Sequence, residues 1–269
     1  MRYITSFLIL YLFSLTNFAQ TTILKANAKG NTYQLINRAL APKGDVVETP
    51  DCAHPDFGEH ITEEWDETLQ SYVFNFHIHT NEDNDRCKNF DRQRTEIKTY
   101  GNSPKELLGY QGETVIYKWK FKLDASFQAS YKFTHLHQIK AVGGSESGMP
   151  LITLTARQSS PDKLQLLYAD HKNQKELTYI KLSLLKGKWI EAKEKIVYGE
   201  KATASYQLTL TQIDNDKQIL DYSNENLSMW KTDAKFLRPK WGIYRSILDT
   251  SNLRNEIVKF ADFSIEKMN

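Results

Sequence analysis

In Tyr117-Lys-Trp-Lys-Phe-Lys-Leu123 a large apolar residue and a lysine change places at every step. Residues two apart share a face on a β-strand, whereas a helix repeats every 3.6 residues. The run can therefore bury Tyr117, Trp119, Phe121 and Leu123 together only as a strand, with Lys118, Lys120 and Lys122 turned away. Tyr72-Val-Phe-Asn-Phe-His-Ile-His79 repeats the pattern, with Tyr72, Phe74, Phe76 and Ile78 on the core face. Further strands are expected over 133–141, 151–156, 164–168, 178–184, 205–213, 240–248 and 257–265. Turn-forming clusters such as Asn81-Glu-Asp-Asn-Asp85 and Gly143-Gly-Ser-Glu-Ser-Gly148 separate them. Helical periodicity is scarce, and Ser103-Pro-Lys-Glu-Leu-Leu108 offers one turn. This pattern predicts an all-β fold: a β-jelly roll sandwich of two curved antiparallel sheets, with a groove on the concave face.

Residues 1–20 read as a secretory signal peptide, with Arg2 as the positive start and Phe7-Leu-Ile-Leu-Tyr-Leu-Phe13 as an apolar stretch too short to span a bilayer. Residues 21–269 are expected to form a single secreted domain, extracellular or periplasmic, with no membrane span. A monomer is expected. The two cysteines, Cys52 and Cys87, are expected to bridge in an oxidising compartment. Closing that loop would add about 3–4 kcal/mol on the chain-entropy estimate.

The formal charge is +2, and losing Arg2 leaves +1. Attraction of an anion must then come from a local cluster, and nucleic acid is not an expected partner. Three segments supply such clusters. Arg94-Thr-Glu-Ile-Lys98 sets Arg94, Glu96 and Lys98 on one face, two cations around one carboxylate. A guanidinium fork can engage both oxygens of a sugar carboxylate. Lys240-Trp-Gly-Ile-Tyr244 sets Lys240, Gly242 and Tyr244 against a core side of Trp241 and Ile243. Glycine between them leaves a gap for a ligand, and neighbouring cations should lower the tyrosine pKa. In Phe133-Thr-His-Leu-His-Gln-Ile-Lys140 two faces compete: His135, His137 and Ile139, or Leu136, Gln138 and Lys140. Two H-x-H pairs, His77 with His79 and His135 with His137, also offer a zinc option.

These segments resemble the signature strands of β-jelly-roll polysaccharide lyases. Arg94-Thr-Glu-Ile-Lys98 is similar to the R-x-E-x-R of alginate lyases of family 7, Lys240-Trp-Gly-Ile-Tyr244 to their K-x-G-x-Y, and Gln138-Ile-Lys140 to Q-I-H with lysine in the histidine's place. Over most of the mature chain the resemblance is to the glucuronan lyase group, polysaccharide lyase family 20, and its heparin-lyase-like relatives. It rests on Pro50-Asp-Cys-Ala-His54, Phe76-His-Ile-His79 before Asp85-Arg-Cys87, Asp91-Arg-Gln-Arg94, Phe133 through Lys140, and Trp241-Gly-Ile-Tyr-Arg245.

The resemblance implies endolytic β-elimination on a uronic-acid polymer, an anionic polysaccharide of the glucuronan type. The C5 proton leaves beside a carboxylate, so that group must be neutralised, and a base and an acid must serve the C5 proton and the C4 oxygen. It implies Tyr244 as the main acid–base group, His79 as the base if the departing groups are anti, and Arg94 and Gln138 as neutralising groups. Lys140 joins them as a candidate catalytic residue, and Lys240, Glu96, Lys98, His137 and His77 as substrate-binding residues. No cofactor is expected for the chemistry. A structural calcium ion is an option, with Asp262 as the candidate ligand and residues 83–85 as further oxygen donors.

Two other classes compete. A glycoside hydrolase would need paired carboxylates, for which Glu63-Glu-Trp-Asp-Glu67 is the source, read as a loop. A carbohydrate-binding module would keep the groove without an activated phenol.

Overall fold

The structure is a computed structural model and describes residues 20–268. The expected signal segment, up to its last residue, lies outside the described residues. Fifteen strands and one short helix follow in order: β1 Gln20–Leu24, α1 Thr32–Leu40, β2 Val47–Glu48, β3 Ile61–Asp66, β4 Ser71–Ile78, β5 Arg92–Lys98, β6 Thr114–Leu123 and β7 Thr134–Val142. They continue with β8 Ile152–Arg157, β9 Lys163–Tyr168, β10 Lys175–Lys181, β11 Trp189–Val197, β12 Ser205–Gln212, β13 Lys217–Asn224, β14 Phe236–Ser246 and β15 Glu256–Met268. No helix among the described residues is long and apolar enough to cross a membrane.

The strands form two antiparallel sheets, as expected of a jelly roll. One runs β13-β12-β11-β6-β15-β4-β3; the other runs β10-β9-β8-β7-β14-β5-β2. The long β15 pairs with β4 along its first half and with β1 along its second, so the first and last described strands lie in the first sheet. Between the sheets the alternation of β6 is realised: Val115, Tyr117, Trp119, Phe121 and Leu123 are buried, and Lys118, Lys120 and Lys122 are partly exposed. The second sheet contributes Ile97, Ile139, Trp241 and Ile243 to the same core.

Two local expectations are corrected, and one helix had no counterpart among them. Residues 32–40 form a helix whose buried Thr32, Ile36 and Leu40 recur every four residues, a stripe too short to stand out in the sequence. Glu63, Glu64 and Asp66 lie on the edge strand β3, not in a loop. The 178–184 strand starts earlier, at Lys175, and ends at Lys181 in a short 3₁₀ turn.

Cys52 and Cys87 are joined, with their Cα atoms 6.4 Å apart. The bridge ties the loop after β2 to the turn that follows β4.

Candidate functional site

Strand β14 lies between β5 and β7, and its register decides which side chains meet. Tyr244 stands opposite Arg94 on one side and His135 on the other, Gly242 opposite Glu96, Lys240 between Lys98 and Gln138, and Arg238 beside Lys140. Trp241 and Ile243, one residue out of phase, are fully buried in the core. The period of two thus delivers the face read from β5 and β14.

Strand β7 takes neither of the two faces its sequence offers. Its pairing with β8 slips between His135 and His137, and a bulge of this kind resets the alternation. His135 therefore joins Gln138 and Lys140 in one pocket, while Leu136 and Ile139 enter the core. His137 is also turned inward, against the ring of Trp119 at 4.4 Å, with its Nε2 2.9 Å from Glu194 Oε2. Tyr206 donates to the other oxygen of Glu194 at 2.8 Å. His137 is thus part of a buried polar pair, and its expected place on the substrate surface is corrected.

The pocket has a volume of about 260 Å³. Tyr244, His135 and Gln138 line it with five cations, Arg92, Arg94, Lys132, Lys140 and Arg157, and among the described residues no Asp or Glu does. Arg92, held by Asp91, donates to the Tyr244 oxygen at 2.9 Å, which leaves the phenol O–H free to donate. The Arg94 guanidinium lies 3.6 Å from the Tyr244 ring centroid, and Phe133 packs on the same ring at 5.2 Å. Both cations favour the phenolate, yet burial outweighs them and the Tyr244 pKa is raised. The expected lowering is corrected, and the resting group is a protonated phenol.

In the sequence His135 enters only as part of one competing β7 face and of the zinc option, not as a catalytic residue. Its ring is 5.8 Å from that of Tyr244, and burial pushes its pKa down to about 3, leaving it neutral. Thr155 Oγ1 donates to Thr153 Oγ1 at 2.9 Å and so accepts from His135 Nδ1, 2.8 Å away. That tautomer carries its lone pair on Nε2.

Beneath the pocket is a network of buried charge. Glu96, fully buried, receives Gln138 Nε2 and Lys240 Nζ at 2.5 Å each and pairs closely with Arg94. Glu48 binds Lys240 at 2.5 Å and Lys98 at 2.6 Å. Arg94 also grips Asp85 through Nε at 2.8 Å and Nη2 at 3.2 Å. Most of its donors are thus engaged within the protein, so it is less free to clamp a ligand than the sequence suggests. Lys140 makes no ion pair or side-chain hydrogen bond among the described residues, and its pKa is lowered, first by burial and then by Arg238. Arg238, also missed in the sequence, is 7% exposed with Nε and Nη1 unpartnered. Lys240 is brought down to about 8 by burial.

Gly242 does not leave a gap for a ligand. A Cβ there would sit 2.1 Å from Thr95 O and 2.7 Å from Glu96 Cα, and the residue has φ +145°. The neighbouring strand fills the space. Gly242→Ala is therefore expected to cost about 2–6 kcal/mol, backbone strain plus overpacking, measurable by denaturant unfolding.

His77 and His79 lie elsewhere. His77 bonds Thr62 Oγ1 at 2.8 Å, and both histidines line a separate cavity of about 750 Å³. Neither lines the Tyr244 pocket, so His135 and not His79 is the imidazole beside the phenol. The four histidines of the zinc option are likewise split between the two sheets. Asp262 is paired with Lys120 at 2.7 Å and Lys25 at 3.6 Å. Asp85 is taken up by Arg86 and Arg94.

A family model described as polysaccharide lyase matches residues 72–261, well over half of the chain. Among solved structures the chain is similar to an endo-β-1,4-glucuronan lyase from the fungus Trichoderma reesei, with 14% identity over 76% of this chain and 85% of that one and a TM-score of 0.56. It is similar also to a PL-14 alginate lyase from Aplysia kurodai, with 12% identity, 92% and 99% coverage and a TM-score of 0.62. An alginate lyase from Pseudomonas aeruginosa gives 13% identity, 82% and 96% coverage and a TM-score of 0.52. At these identities the likeness is one of fold. A search of curated proteins finds no match.

Proposed function

The chain belongs to the polysaccharide lyase family, and from that premise we propose that it is a secreted enzyme cleaving a uronic-acid polymer within the chain by β-elimination, with a β-1,4-glucuronate polymer as substrate. The observation that carries this reading is the composition of the Tyr244 pocket: a phenol and a neutral imidazole among five cations, with no carboxylate. Elimination from a uronate builds negative charge beside the sugar carboxylate, and fixed cations stabilise that charge in a site shielded from water. A hydrolase pocket would instead carry two carboxylates.

In this reading Lys140, Gln138 and the free donors of Arg92 and Arg157 meet the uronate carboxylate. His135 Nε2 takes the C5 proton, and the Tyr244 O–H, already accepting from Arg92, gives its proton to the departing C4 oxygen. The electron pair of the C5–H bond becomes the C4–C5 double bond as the C4–O bond breaks. In a β-1,4-glucuronate the C5 hydrogen and the C4 oxygen lie on the same side of the ring. Two groups side by side on one wall fit that geometry. The sequence resemblance to the glucuronan lyase group, and the fold shared with a glucuronan lyase, support the same substrate.

The test is to mix the protein with polyglucuronate and with alginate and to follow the ultraviolet absorbance of the unsaturated uronate, reducing ends and viscosity together. Endolytic elimination is expected to drop viscosity early while absorbance and reducing ends rise in step on polyglucuronate. Reducing ends without absorbance would overturn the elimination. Lys140→Ala is expected to lower kcat/KM by about 10–100-fold, the loss of one charge-assisted contact, with the melting temperature held.

A further inference from the structure

We propose that His54, His60, His79 and Asp83 form a binding site for one divalent cation of the zinc class, separate from the Tyr244 pocket. The four come from three places in the chain: the loop after β2, the residue before β3, and the end of β4 with the turn that follows. Their ligating atoms all lie within 4.8 Å of one another. Asp83 Oδ1 is 3.2 Å from His54 Nδ1 and 3.1 Å from His60 Nε2, and Oδ2 is 3.2 Å from His79 Nδ1. Ligand atoms on a tetrahedral zinc, with bonds of about 2.0–2.1 Å, are spaced about 3.3 Å apart. The two contacts to Oδ1 are close to the edges of such a tetrahedron, and the His79 contact is to the second oxygen of the same carboxylate.

A second observation points the same way. His60 turns Nε2 to the centre of the cluster while its Nδ1 lies 2.7 Å from Asp51 Oδ1, and the other Asp51 oxygen accepts from Tyr33 at 2.8 Å. A carboxylate behind a histidine is the arrangement that orients metal-ligating imidazoles and raises their basicity. Three imidazoles with one carboxylate suit zinc, cobalt or nickel and not calcium, which takes oxygen donors. His79 also lines the cavity of about 750 Å³, which offers an entry path. The disulfide holds the assembly, since Cys52 is two residues from His54 and Cys87 four from Asp83.

The position suggests what the ion does. Asp83 and Asp85 stand on either side of Asn84; one faces the histidines, and the other grips Arg94 beneath Tyr244. An ion on Asp83 braces the turn that positions Arg94.

The full chain, stripped with a chelator and titrated with Co²⁺ and Zn²⁺, is expected to bind one equivalent, with the visible absorption of four-coordinate cobalt. Saturating Zn²⁺ should raise the melting temperature by about 5–10 °C. His54→Ala, whose side chain is partly exposed, and the double variant His54→Ala/His79→Ala should lose the cobalt spectrum and the thermal shift. Absence of stoichiometric cobalt binding by the unaltered chain would overturn the proposal. So would a spectrum unchanged in the double variant, or Ca²⁺ displacing Zn²⁺ at equal concentration.

Discussion

Tyr244→Phe is expected to lower turnover by about 10²–10⁴-fold, the range for a positioned acid or base, while leaving the fold and polymer binding largely intact. The substitution removes only the hydroxyl, and the Arg92 donor is the hydroxyl's protein partner. The ring keeps its contacts with Arg94 and Phe133, so packing and the charge network beneath are preserved. Because burial raises the Tyr244 pKa above its ordinary value, the phenol begins as the acid and another group must take the C5 proton. His135→Gln should therefore lose turnover on a similar scale, whereas His79→Ala should affect it far less directly. Absorbance of the unsaturated product gives the rate, and thermal melting reports the fold. Turnover within tenfold of the unaltered protein in Tyr244→Phe would sink the phenol's role.

Glu96→Ala should produce a large loss of stability. The carboxylate is wholly buried and answers Arg94, Lys240 and Gln138 at once. Removing one partner of a buried ion pair leaves uncompensated charge and costs about 3–5 kcal/mol. Glu48 beside Lys240 supplies partial compensation, which places the loss toward the lower end. The same network sets an acid limit. Lys240 and Arg94 hold the Glu96 and Glu48 carboxyls below their ordinary range despite burial. A depressed folded-state pKa contributes stability that is full above the unfolded value, about 4.3 for glutamate, and is lost as pH falls toward the folded one. Denaturant unfolding from neutral pH down to about pH 3 should show a steeper decline in the unaltered protein than in Glu96→Ala. Parallel curves would show that the network is not what fails in acid.

Much of the groove was legible because β5 and β14 keep strict alternation. Arg94, Glu96 and Lys98 share a face, as do Lys240 and Tyr244, and their partners in register are the residues the pattern picked out. Strand β7 was not legible, because its residues look apolar on both faces and only the pairing slip at His135 and His137 decides between them. That slip moved His137 into the core and brought His135 beside the phenol. The direction of the tyrosine shift was misread for a related reason: sequence displays the neighbouring cations but not the depth of burial that outweighs them. His54 and His60 gave no periodic signal, since a bridge and a turn bring them to His79. The helix at Thr32–Leu40 and the edge strand at Ile61–Asp66 were missed because each is short and borrows its stability from the sheet it packs on.

Strand β14 carries its two duties on alternate residues: Trp241 and Ile243 hold the sandwich together, while Tyr244 lines the pocket and Arg238 lies beside Lys140. If these residues bind polymer as proposed, drift at them can change which polymer is accepted without repacking the interior, and the scaffold can diversify one side chain at a time. Lys240 is the exception, locked between two glutamates. Such a residue can change only in concert with its partners, so divergence among proteins built this way should begin at Lys140 and Arg238 and reach Glu96 last.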